Sequence, residues 1–461
     1  MSFSTDQRGS VTRRAALGAL AAGAGVMAFW PRVPRSRVNI PAGRKVIDYW
    51  EKWTGPEGDA VQRIVDRFNS EQSLLWVRRV PVSEIDTKAM VAIGGGDPPD
   101  VVGVFSYNVP QYALSGAAIP LDSIGGGATS IRPDWYAPAV ARLLSFNGRL
   151  IAGVSSLYSL ALYYNRSLFA EAGLDPDQPP RTVEELDTAA DRLTIRRDGR
   201  IERAGLLPNL PLWWPYFWPI MFGGRLYDPV NDRAEFDALE SVRAYEWVAG
   251  YPRRLGTAES REFGVAYNRS FHSPQDPFIS GRVGMIVQGP WLANFINLYR
   301  PGLDYGVVPV PVPAELLDPA NPYGLLEADV LIIPRGCKDP EAAFEFVRFT
   351  QRRDVQVQLA REHTKSSPLA ECSAGFYEGH GNKFVRVFDA ITRSANVRIL
   401  PQTPVWKGYA HLTEGAFDAV WRGEAAASVC ARVQARAQEM IDRSSAVRAK
   451  RMVSSEGRRA S

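Results

Sequence analysis

The sequence lacks the short motifs that mark several large enzyme classes. It has no G-x-x-x-x-G-K-[ST] loop, which excludes the P-loop ATPases, and neither an H-E-x-x-H nor a G-x-S-x-G motif. Histidine is scarce, and its four copies are scattered without a metal-binding spacing to the cysteines. These absences argue against zinc and serine hydrolases, and the sequence predicts no metal or other cofactor.

Cysteine is equally scarce and is odd in number. Cys337, Cys372 and Cys430 are far apart and form no C-x-x-C pair. Either one disulfide forms between two of them, or all three are isolated thiols that are mostly buried.

Long apolar runs are missing once the N-terminus is passed. Thr12-Arg13-Arg14 precedes Ala15–Phe29, which is short for a membrane span, and paired arginines before such a run resemble a twin-arginine export signal. Val26-Met27-Ala28 fits cleavage after Ala28, and no cysteine lies nearby to carry a lipid. We therefore expect a periplasmic protein that is not a lipoprotein. An uncleaved anchor and a chance apolar N-terminus are the alternatives.

The basic residues are concentrated at the two ends of the chain. Residues 1–45 contain eight Lys and Arg with one acidic residue, and residues 442–461 contain six with two. Subtracting both ends from the totals of 54 basic and 50 acidic residues leaves 40 and 47 in the body, a net charge of −7. A body of this charge argues against nucleic-acid binding.

Strand-like and helix-like segments alternate after the N-terminal region. Short apolar runs at Lys45–Trp50, Leu75–Val82 and Asp100–Phe105 are separated by helical patterns at Asp59–Ser70 and Glu84–Ile93. This alternation predicts a parallel, doubly wound α/β lobe. Further strands are predicted at Leu150–Val154 and Ala161–Tyr164, on either side of Ser155–Leu160. The later sequence is mostly helical in pattern and includes predicted helices at Val183–Leu193 and Pro340–Thr350.

The tract Phe278–Trp291 predicts an aromatic side chain at a ligand-binding edge. A turn at Gly281-Arg282 leads into the apolar strand Val283–Val287, and Gly289-Pro290-Trp291 then indicates a helix start. The indole would lie at the carboxyl end of a strand, where open α/β sheets bind ligands. A buried core tryptophan is the alternative.

Several tracts resemble, in order, the family 1 extracellular solute-binding proteins, which are the sugar receptors of ABC importers. The resemblance covers about Lys45 to Ile441, and Val183 replaces a tryptophan that is usual in the family. The matching tracts are Ile47–Trp53, Gly96–Val102, Gln111–Gly116, Ala161–Arg166, Arg181–Leu186, Phe278–Trp291 and Pro340–Phe349. The resemblance implies a monomeric receptor that closes on a sugar and passes it to ABC permease subunits in the membrane.

The same resemblance implies a two-lobe periplasmic-binding-protein fold of type II. Each lobe is expected to be a mainly parallel sheet flanked by helices, with the ligand cleft between the lobes. The expected divisions are a signal segment 1–28, a linker 29–44, one lobe from 45–156 plus 309–352, a second lobe from 157–308 plus 353–441, and a disordered basic tail 442–461.

A sugar receptor needs flat aromatic faces together with directed polar partners. In the loop after the first strand, Glu51 could accept hydroxyl protons, Lys52 could donate and Trp53 could stack; a solvated loop with one core tryptophan is the alternative. The predicted ligand contacts are Glu51, Lys52, Trp53, Ser106, Tyr107, Tyr158, Trp213, Trp214, Trp291, Asp329 and Trp406.

Three of these contacts depend on how nearby elements are interpreted. The aromatic run Trp213–Trp218 cannot face one side of a helix, so part of it should enter the core while Trp213 or Trp214 faces the cleft. Asp329, just before a predicted strand Val330–Ile333, matches a cleft position of the family but could equally be a turn residue. Trp406 resembles a C-terminal tryptophan of maltodextrin-type receptors.

Two other functions compete with the neutral-sugar receptor. A receptor for a charged small molecule, such as a glycerophosphodiester or a polyamine, could use Lys52, Arg361 and Lys365 against an anion. A secreted carbohydrate-active enzyme would need two carboxylates across the cleft, and Glu51 and Asp329 form the only pair that the sequence suggests.

Overall fold

The structure is a computed structural model that describes residues 40–125, 130–211, 213–267 and 269–459, with side chains through residue 449. The signal segment 1–28 and most of the linker 29–44 lie outside the described residues. Residues 40–44 form a turn in which Arg44 N donates to Pro41 O (3.4 Å). The described residues from Lys45 onward form one compact unit.

Strands and helices alternate through most of this unit. The strands are β1 (Lys45–Glu51), β2 (Leu75–Pro81), β3 (Val101–Phe105), β4 (Ala118–Ile119), β5 (Ser145–Phe146), β6 (Arg149–Leu150), β7 (Gly153–Ser159), β8 (Ala161–Asn165), β9 (Ile195–Arg197), β10 (Arg200–Arg203), β11 (Leu226–Asp228), β12 (Arg233–Glu235), β13 (Met285–Gln288), β14 (Tyr305–Val308), β15 (Gly324–Pro334) and β16 (Val397–Ile399). The helices are α1 (Gly55–Glu71), α2 (Ile85–Gly94), α3 (Val109–Ser115), α4 (Pro138–Leu144), α5 (Arg166–Glu171), α6 (Val183–Leu193), α7 (Phe217–Met221), α8 (Leu239–Leu255), α9 (Thr257–Tyr267), α10 (Leu292–Tyr299), α11 (Pro340–Thr350), α12 (Arg353–Glu362), α13 (Val385–Arg393), α14 (Trp406–Trp421) and α15 (Ala426–Arg459).

Local sequence signals explain where two of the predicted helices begin. Helix α6 starts with a capping box, in which Thr182 Oγ1 accepts from Glu185 N and the Glu185 carboxylate accepts from Thr182 N. Helix α11 starts at Pro340 after Asp339, whose carboxylate accepts from Ala342 N (3.0 Å). Both helices have the bounds that the sequence predicted.

The first sheet has the order β16-β15-β3-β1-β2, and β4 and β7 also pair with β15. Strand β1 runs parallel to β2 and β3, as the alternating pattern predicts. Strand β15 is parallel to β16 but antiparallel to β3, β4 and β7. Each residue of β15 is buried, so this long strand is the centre of the sheet.

The second sheet, of order β13-β8-β14, is antiparallel throughout. The prediction of a mainly parallel sheet in both lobes is therefore wrong for this one. All five residues of β8 are buried, as in a parallel strand with helices on both faces, so its apolar run carries no information about direction.

The chain crosses between the two sheets over a single residue. Strand β7 pairs in the first sheet and β8 in the second, and only Leu160, which is fully buried, separates them. The sequence predicted two strands with Ser155–Leu160 as the segment between them, whereas most of that segment is β7 itself.

The segment after α11 contacts both sheets. Helix α12 lies against α1 and β16 pairs with β15, whereas Phe384 packs on Tyr305 of β14 at 5.2 Å. Helices α14 and α15 pack against α8, and α15 also contacts β12. The expected division of the chain into lobes stays a prediction.

Helix α15 corrects the prediction of a disordered tail over 442–461, because its backbone is helical as far as Arg459. Asp232 accepts hydrogen bonds from Ser445 and from Arg448 at 2.5 Å, and so holds this segment against the loop before β12. The basic composition that suggested disorder here supplies good helix-forming residues instead.

Within the described residues, the three cysteines are free, with Cys337 and Cys430 buried and Cys372 half-buried. Over the same ranges, no helix is both long and apolar enough to span a membrane.

Candidate ligand-binding site

Strand β15 brings two carboxylates to one face of the first sheet. Glu327 and Asp329 are two residues apart, so their side chains lie on the same face. The register sets Glu327 opposite Tyr158 of β7, and Asp329 opposite both Ser156 of β7 and Phe105 of β3. Asp329 is inside a strand, so the alternative of a turn residue is wrong.

The end of β1 delivers Glu51 and Lys52 to these carboxylates. Lys52 Nζ lies 3.0 Å from Asp329 Oδ1 and 3.5 Å from Glu51 Oε1, and its side chain is only 8% exposed. Glu51 is buried and also accepts from the Tyr49 hydroxyl and from Lys52 N (2.7 Å). A Cβ at Gly103 would overlap the Glu51 carboxylate, so a glycine in β3 makes room for it. The solvated-loop alternative is therefore wrong for Glu51 and Lys52.

Aromatic rings surround this charged group on the side of the first sheet. The ammonium of Lys52 lies 4.5 Å from the centroid of Phe105 and 5.1 Å from that of Trp53. Trp53 meets Phe105 edge to face at 6.3 Å, and Phe105 stacks on Tyr107 at 5.3 Å. These rings come from the loops after β1 and β3.

Trp291 brings the second sheet to the same place. It follows β13 and is the N-cap of α10, which begins at Leu292, two residues after the helix start predicted at Pro290. Its half-buried ring lies edge to face with Tyr158 at 5.2 Å and 6.0 Å from Trp214. Its Nε1 donates to Gln288 Oε1 (3.1 Å), and a Cβ at Gly289 would overlap the ring. The indole thus lies just after the carboxyl end of β13 and against Tyr158 of the first sheet, and its contact with a ligand stays a prediction.

Lys365 is a site residue that the predicted contact set omitted. It is 1% exposed, and its Nζ lies 2.7 Å from Glu57 Oε1 and donates to Ser156 Oγ (3.0 Å). The same Nζ is 5.4 Å from the ring centroid of Trp53 and 5.9 Å from that of Trp291. The sequence had raised Lys365 only as a possible anion ligand.

Tyr158 and Tyr216 both interact with Glu327. The Tyr158 hydroxyl donates to Glu327 Oε2 (2.6 Å), and Tyr216 also lowers the pKa of Glu327 through a hydrogen bond. Trp406 packs edge to face against Tyr216 at 5.1 Å and is 1% exposed. It thus lies behind Tyr216, and a direct ligand contact of Trp406 stays a prediction.

The remaining predicted residues lie at the edges of the cluster. Ser106 is buried, and its Oγ accepts a hydrogen bond from Ala328 N (3.2 Å). This hydroxyl therefore already has a partner within the protein. The Tyr107 hydroxyl lies 3.5 Å from Asp86 Oδ2. Trp213 is 40% exposed and meets Trp214 edge to face at 5.4 Å, so it is the outermost ring.

Burial shifts the pKa values of the central acids upward. Burial raises the pKa of Glu327 to about 7, with the Asp329 charge adding to the effect. Burial also raises the pKa of Asp329, although Lys52 opposes this. For Lys52, burial acts to lower the pKa, but Asp329 and Glu51 outweigh it and the pKa is raised. Lys52 is therefore charged and Glu327 is partly protonated near neutral pH.

Both acceptors and donors of the site include buried atoms that lack a hydrogen-bond partner in the described part of the chain. Among the described residues, Asp329 Oδ2 and Glu327 Oε1 have no well-formed hydrogen-bond partner, although both atoms are buried. Two buried donors, Trp53 Nε1 and Gln288 Nε2, also have no well-formed hydrogen-bond partner within these ranges. Buried polar atoms of this kind need partners, so the arrangement suits a ligand that offers several hydroxyls.

Other features of the described chain do not compete with this site. Over residues 40–125, 130–211, 213–267 and 269–459, no group of three His, Cys, Asp or Glu side chains could hold a metal. An open groove of about 860 Å³ lies beside α5 and α6, lined by prolines such as Pro179 and Pro309, and shares no residue with the site. It lacks the converging aromatic faces described above.

The family model described as bacterial extracellular solute-binding protein matches residues 53–357. The maltotriose-binding protein of Pyrococcus abyssi is 24% identical over 291 residues, which cover 60% of this chain and 56% of that protein. The sn-glycerol-3-phosphate-binding periplasmic protein UgpB of Yersinia pestis is 32% identical over 161 residues, or 33% of this chain and 36% of that protein. The matches thus span about half, or less, of these relatives.

A solved structure shows the same fold over nearly the whole chain. The protein CpMnBP1 with mannotriose bound superimposes with a TM-score of 0.75 and 24% identity, over 86% of this chain and all of that one. The expected two-lobe binding-protein fold is thereby confirmed.

Proposed function

Because the chain belongs to the bacterial extracellular solute-binding proteins, we propose that it binds a neutral sugar between its two sheets and delivers it to an ABC permease. The sugar is a mono- or oligosaccharide. The ligand contacts proposed from the sequence, joined by Glu57, Ser156, Tyr216, Glu327 and Lys365, form its site. The receptor acts as an exported monomer, carried by the twin-arginine route without a lipid anchor.

The observation that carries this proposal is the pairing of aromatic faces with unsatisfied acceptors. Trp53, Trp291 and Trp214 offer flat faces to the C–H groups of a sugar ring. Asp329 Oδ2 and Glu327 Oε1 accept the protons of hydroxyls. Each sugar hydroxyl can donate one hydrogen bond and accept another, so it can also satisfy Trp53 Nε1. A protein–sugar contact of this kind needs no charge on the ligand.

The charge arrangement argues against an anionic ligand such as a glycerophosphodiester. Each lysine is already held by carboxylates, Lys52 by Asp329 and Glu51 and Lys365 by Glu57. A phosphate would therefore meet acidic oxygens beside each ammonium, and like charges at such distances cost binding energy.

Ligand-induced thermal stabilisation tests the proposal, because a bound ligand raises the melting temperature by mass action. Maltotriose, mannotriose, their monosaccharides and glycerophosphocholine are compared at matched concentrations. We expect a saturable rise with at least one neutral sugar and none with the phosphodiester. A rise with glycerophosphocholine alone would refute the neutral-sugar proposal.

The same protein is incubated with the oligosaccharides to test for hydrolysis. We propose a non-catalytic receptor, since Glu51 and Asp329 share the Lys52 ammonium and neither is arranged as a free acid. Chromatography should recover the oligosaccharide unchanged, and time-dependent release of shorter sugars would contradict this.

A further inference from the structure

Lys365 lies within a cage of three aromatic rings. Its ammonium nitrogen is 5.4 Å from the ring centroid of Trp53, 5.9 Å from Trp291 and 6.0 Å from Tyr158. These rings come from the loop after β1, the loop after β13 and strand β7, so both sheets contribute. Aromatic faces around an ammonium at this range are the arrangement by which proteins recognise cations.

Polar partners complete the cage around the Lys365 ammonium. Glu57, in the first turn of α1, approaches Nζ to 2.7 Å, and Ser156 Oγ accepts from it at 3.0 Å. The Lys365 ammonium acts to lower the pKa of Glu57 against the effect of burial, and the net shift is downward. His363 is nearby, but burial lowers its pKa to about 4, so it adds no charge at neutral pH.

In such a cage, the lysine ammonium itself pairs with the carboxylate and the ring faces that would otherwise attract a cationic ligand. The carboxylate of Glu57 is neutralised, and the ring faces are already directed at a positive charge. A second ammonium at the same rings would meet the charge of Lys365 within a few ångströms, in a site with little water to screen it.

We propose that Lys365 is a built-in occupant of a cation-binding cage formed by Trp53, Tyr158, Trp291 and Glu57, and that it keeps ammonium-bearing solutes out of this part of the cleft. The inference deepens the proposed function, on which it rests, by restricting the ligand at these rings to uncharged groups. It makes Lys365 a determinant of specificity against amino sugars, choline-type groups and polyamines.

The substitution Lys365→Ala tests the cage directly. The substitution removes three methylene carbons and the ammonium group. The cation n-propylammonium supplies the same number of carbons and the ammonium, so it is the probe. The alcohol 1-propanol has nearly the same shape but no charge, so it is the control. We expect n-propylammonium chloride to raise the melting temperature of Lys365→Ala in a saturable way. Neither 1-propanol nor sodium chloride at equal ionic strength should do so, and the wild-type protein should not respond.

The double variant Glu57→Gln/Lys365→Ala is the matched control. It keeps the rings but lacks the anionic partner, so its affinity for n-propylammonium should be about tenfold lower than that of Lys365→Ala. If Lys365→Ala does not fold alone, the same titration is followed as recovery of the circular dichroism signal, with the same expectations.

Three results would overturn the proposal. They are equal responses to n-propylammonium in the wild-type protein and in Lys365→Ala, no response in Lys365→Ala, and equal responses to the amine and the alcohol. The sugar titrations use the wild-type protein, in which Lys365 is intact, so the two proposals are tested separately. If no sugar stabilises the wild type but n-propylammonium stabilises Lys365→Ala, the neutral-sugar proposal is rejected and the cage is supported. If a sugar stabilises the wild type but n-propylammonium does not stabilise Lys365→Ala, only the cage is rejected.

Discussion

Replacing Trp291 with alanine is the most direct test of the site. The ring contacts Tyr158 of β7 and Trp214 of the loop before α7, and its Nε1 donates a hydrogen bond to Gln288 Oε1. It is half-buried rather than enclosed in the core. The substitution therefore removes a ligand-facing surface while it leaves β13 and α10 in place.

The expected effects on stability and on binding differ in size. Truncating a half-buried ring costs about 1–2 kcal/mol of folding stability, which lowers the melting temperature of a protein of this size by a few degrees. The loss of a central aromatic contact costs about 2–4 kcal/mol of binding free energy. The second figure corresponds to an affinity about 30- to 1,000-fold weaker.

Isothermal titration calorimetry with the stabilising sugar measures the affinity, and circular dichroism checks the fold. Trp135→Ala is the matched control, because Trp135 is 37% exposed, ends the short 3₁₀-helix Pro133–Trp135 and is not among the proposed site residues, so the affinity should be unchanged. A folded Trp291→Ala variant that binds within about threefold of the wild type would refute a stacking role. An unfolded variant would instead identify Trp291 as a core residue.

Three further changes have expected outcomes. Gly289→Ala should weaken sugar binding by calorimetry about tenfold or more without unfolding, because the new Cβ overlaps the Trp291 ring; unchanged affinity would contradict this ring position. Gly103→Ala should lower the unfolding free energy in urea by about 2 kcal/mol, because its Cβ overlaps the Glu51 carboxylate; an unchanged midpoint would show that Glu51 has room to move. Burial raises the pKa of Glu327 from 4.5 to about 7, so the folded state holds this proton more tightly than the unfolded state does, and the resulting stabilisation is full below pH 4.5 and is lost as the pH rises through 7. Between pH 4.5 and pH 8, the unfolding free energy of the wild type should therefore fall by about 2–3 kcal/mol relative to that of Glu327→Gln. Urea denaturation measures both proteins across this range, and parallel pH profiles would refute the pKa shift.

Local patterns were sufficient for the first part of the fold. Strands β1 to β3 and helices α1 and α2 lie within a few residues of the predicted bounds, because each has a clear apolar period. Strand β15 was predicted too short, as Val330–Ile333, because Glu327 and Asp329 interrupt its apolar run. These acids lie buried inside the strand, where Lys52 and Tyr158 rather than the solvent contact them.

Residues of the candidate site could be predicted only where a local sequence pattern marks them. Trp53 and Trp291 each come just after an apolar strand, which is a local signal. The pairing of Lys365 with Glu57 joins α1 to the turn after α12, and no local pattern reports such a contact. The two-residue spacing of Glu327 and Asp329 was the one signal that could have added Glu327 to the predicted contacts.

The single-residue passage from β7 to β8 has a consequence for protein engineering. Leu160 has no exposed surface, and the strands on either side of it are hydrogen-bonded in different sheets. A protease cannot cut there without prior unfolding, and an inserted reporter domain would break both sheets at once. Split versions or circular permutants of the protein should therefore place their new ends in exposed turns such as Asn147-Gly148, and leave this strand uncut.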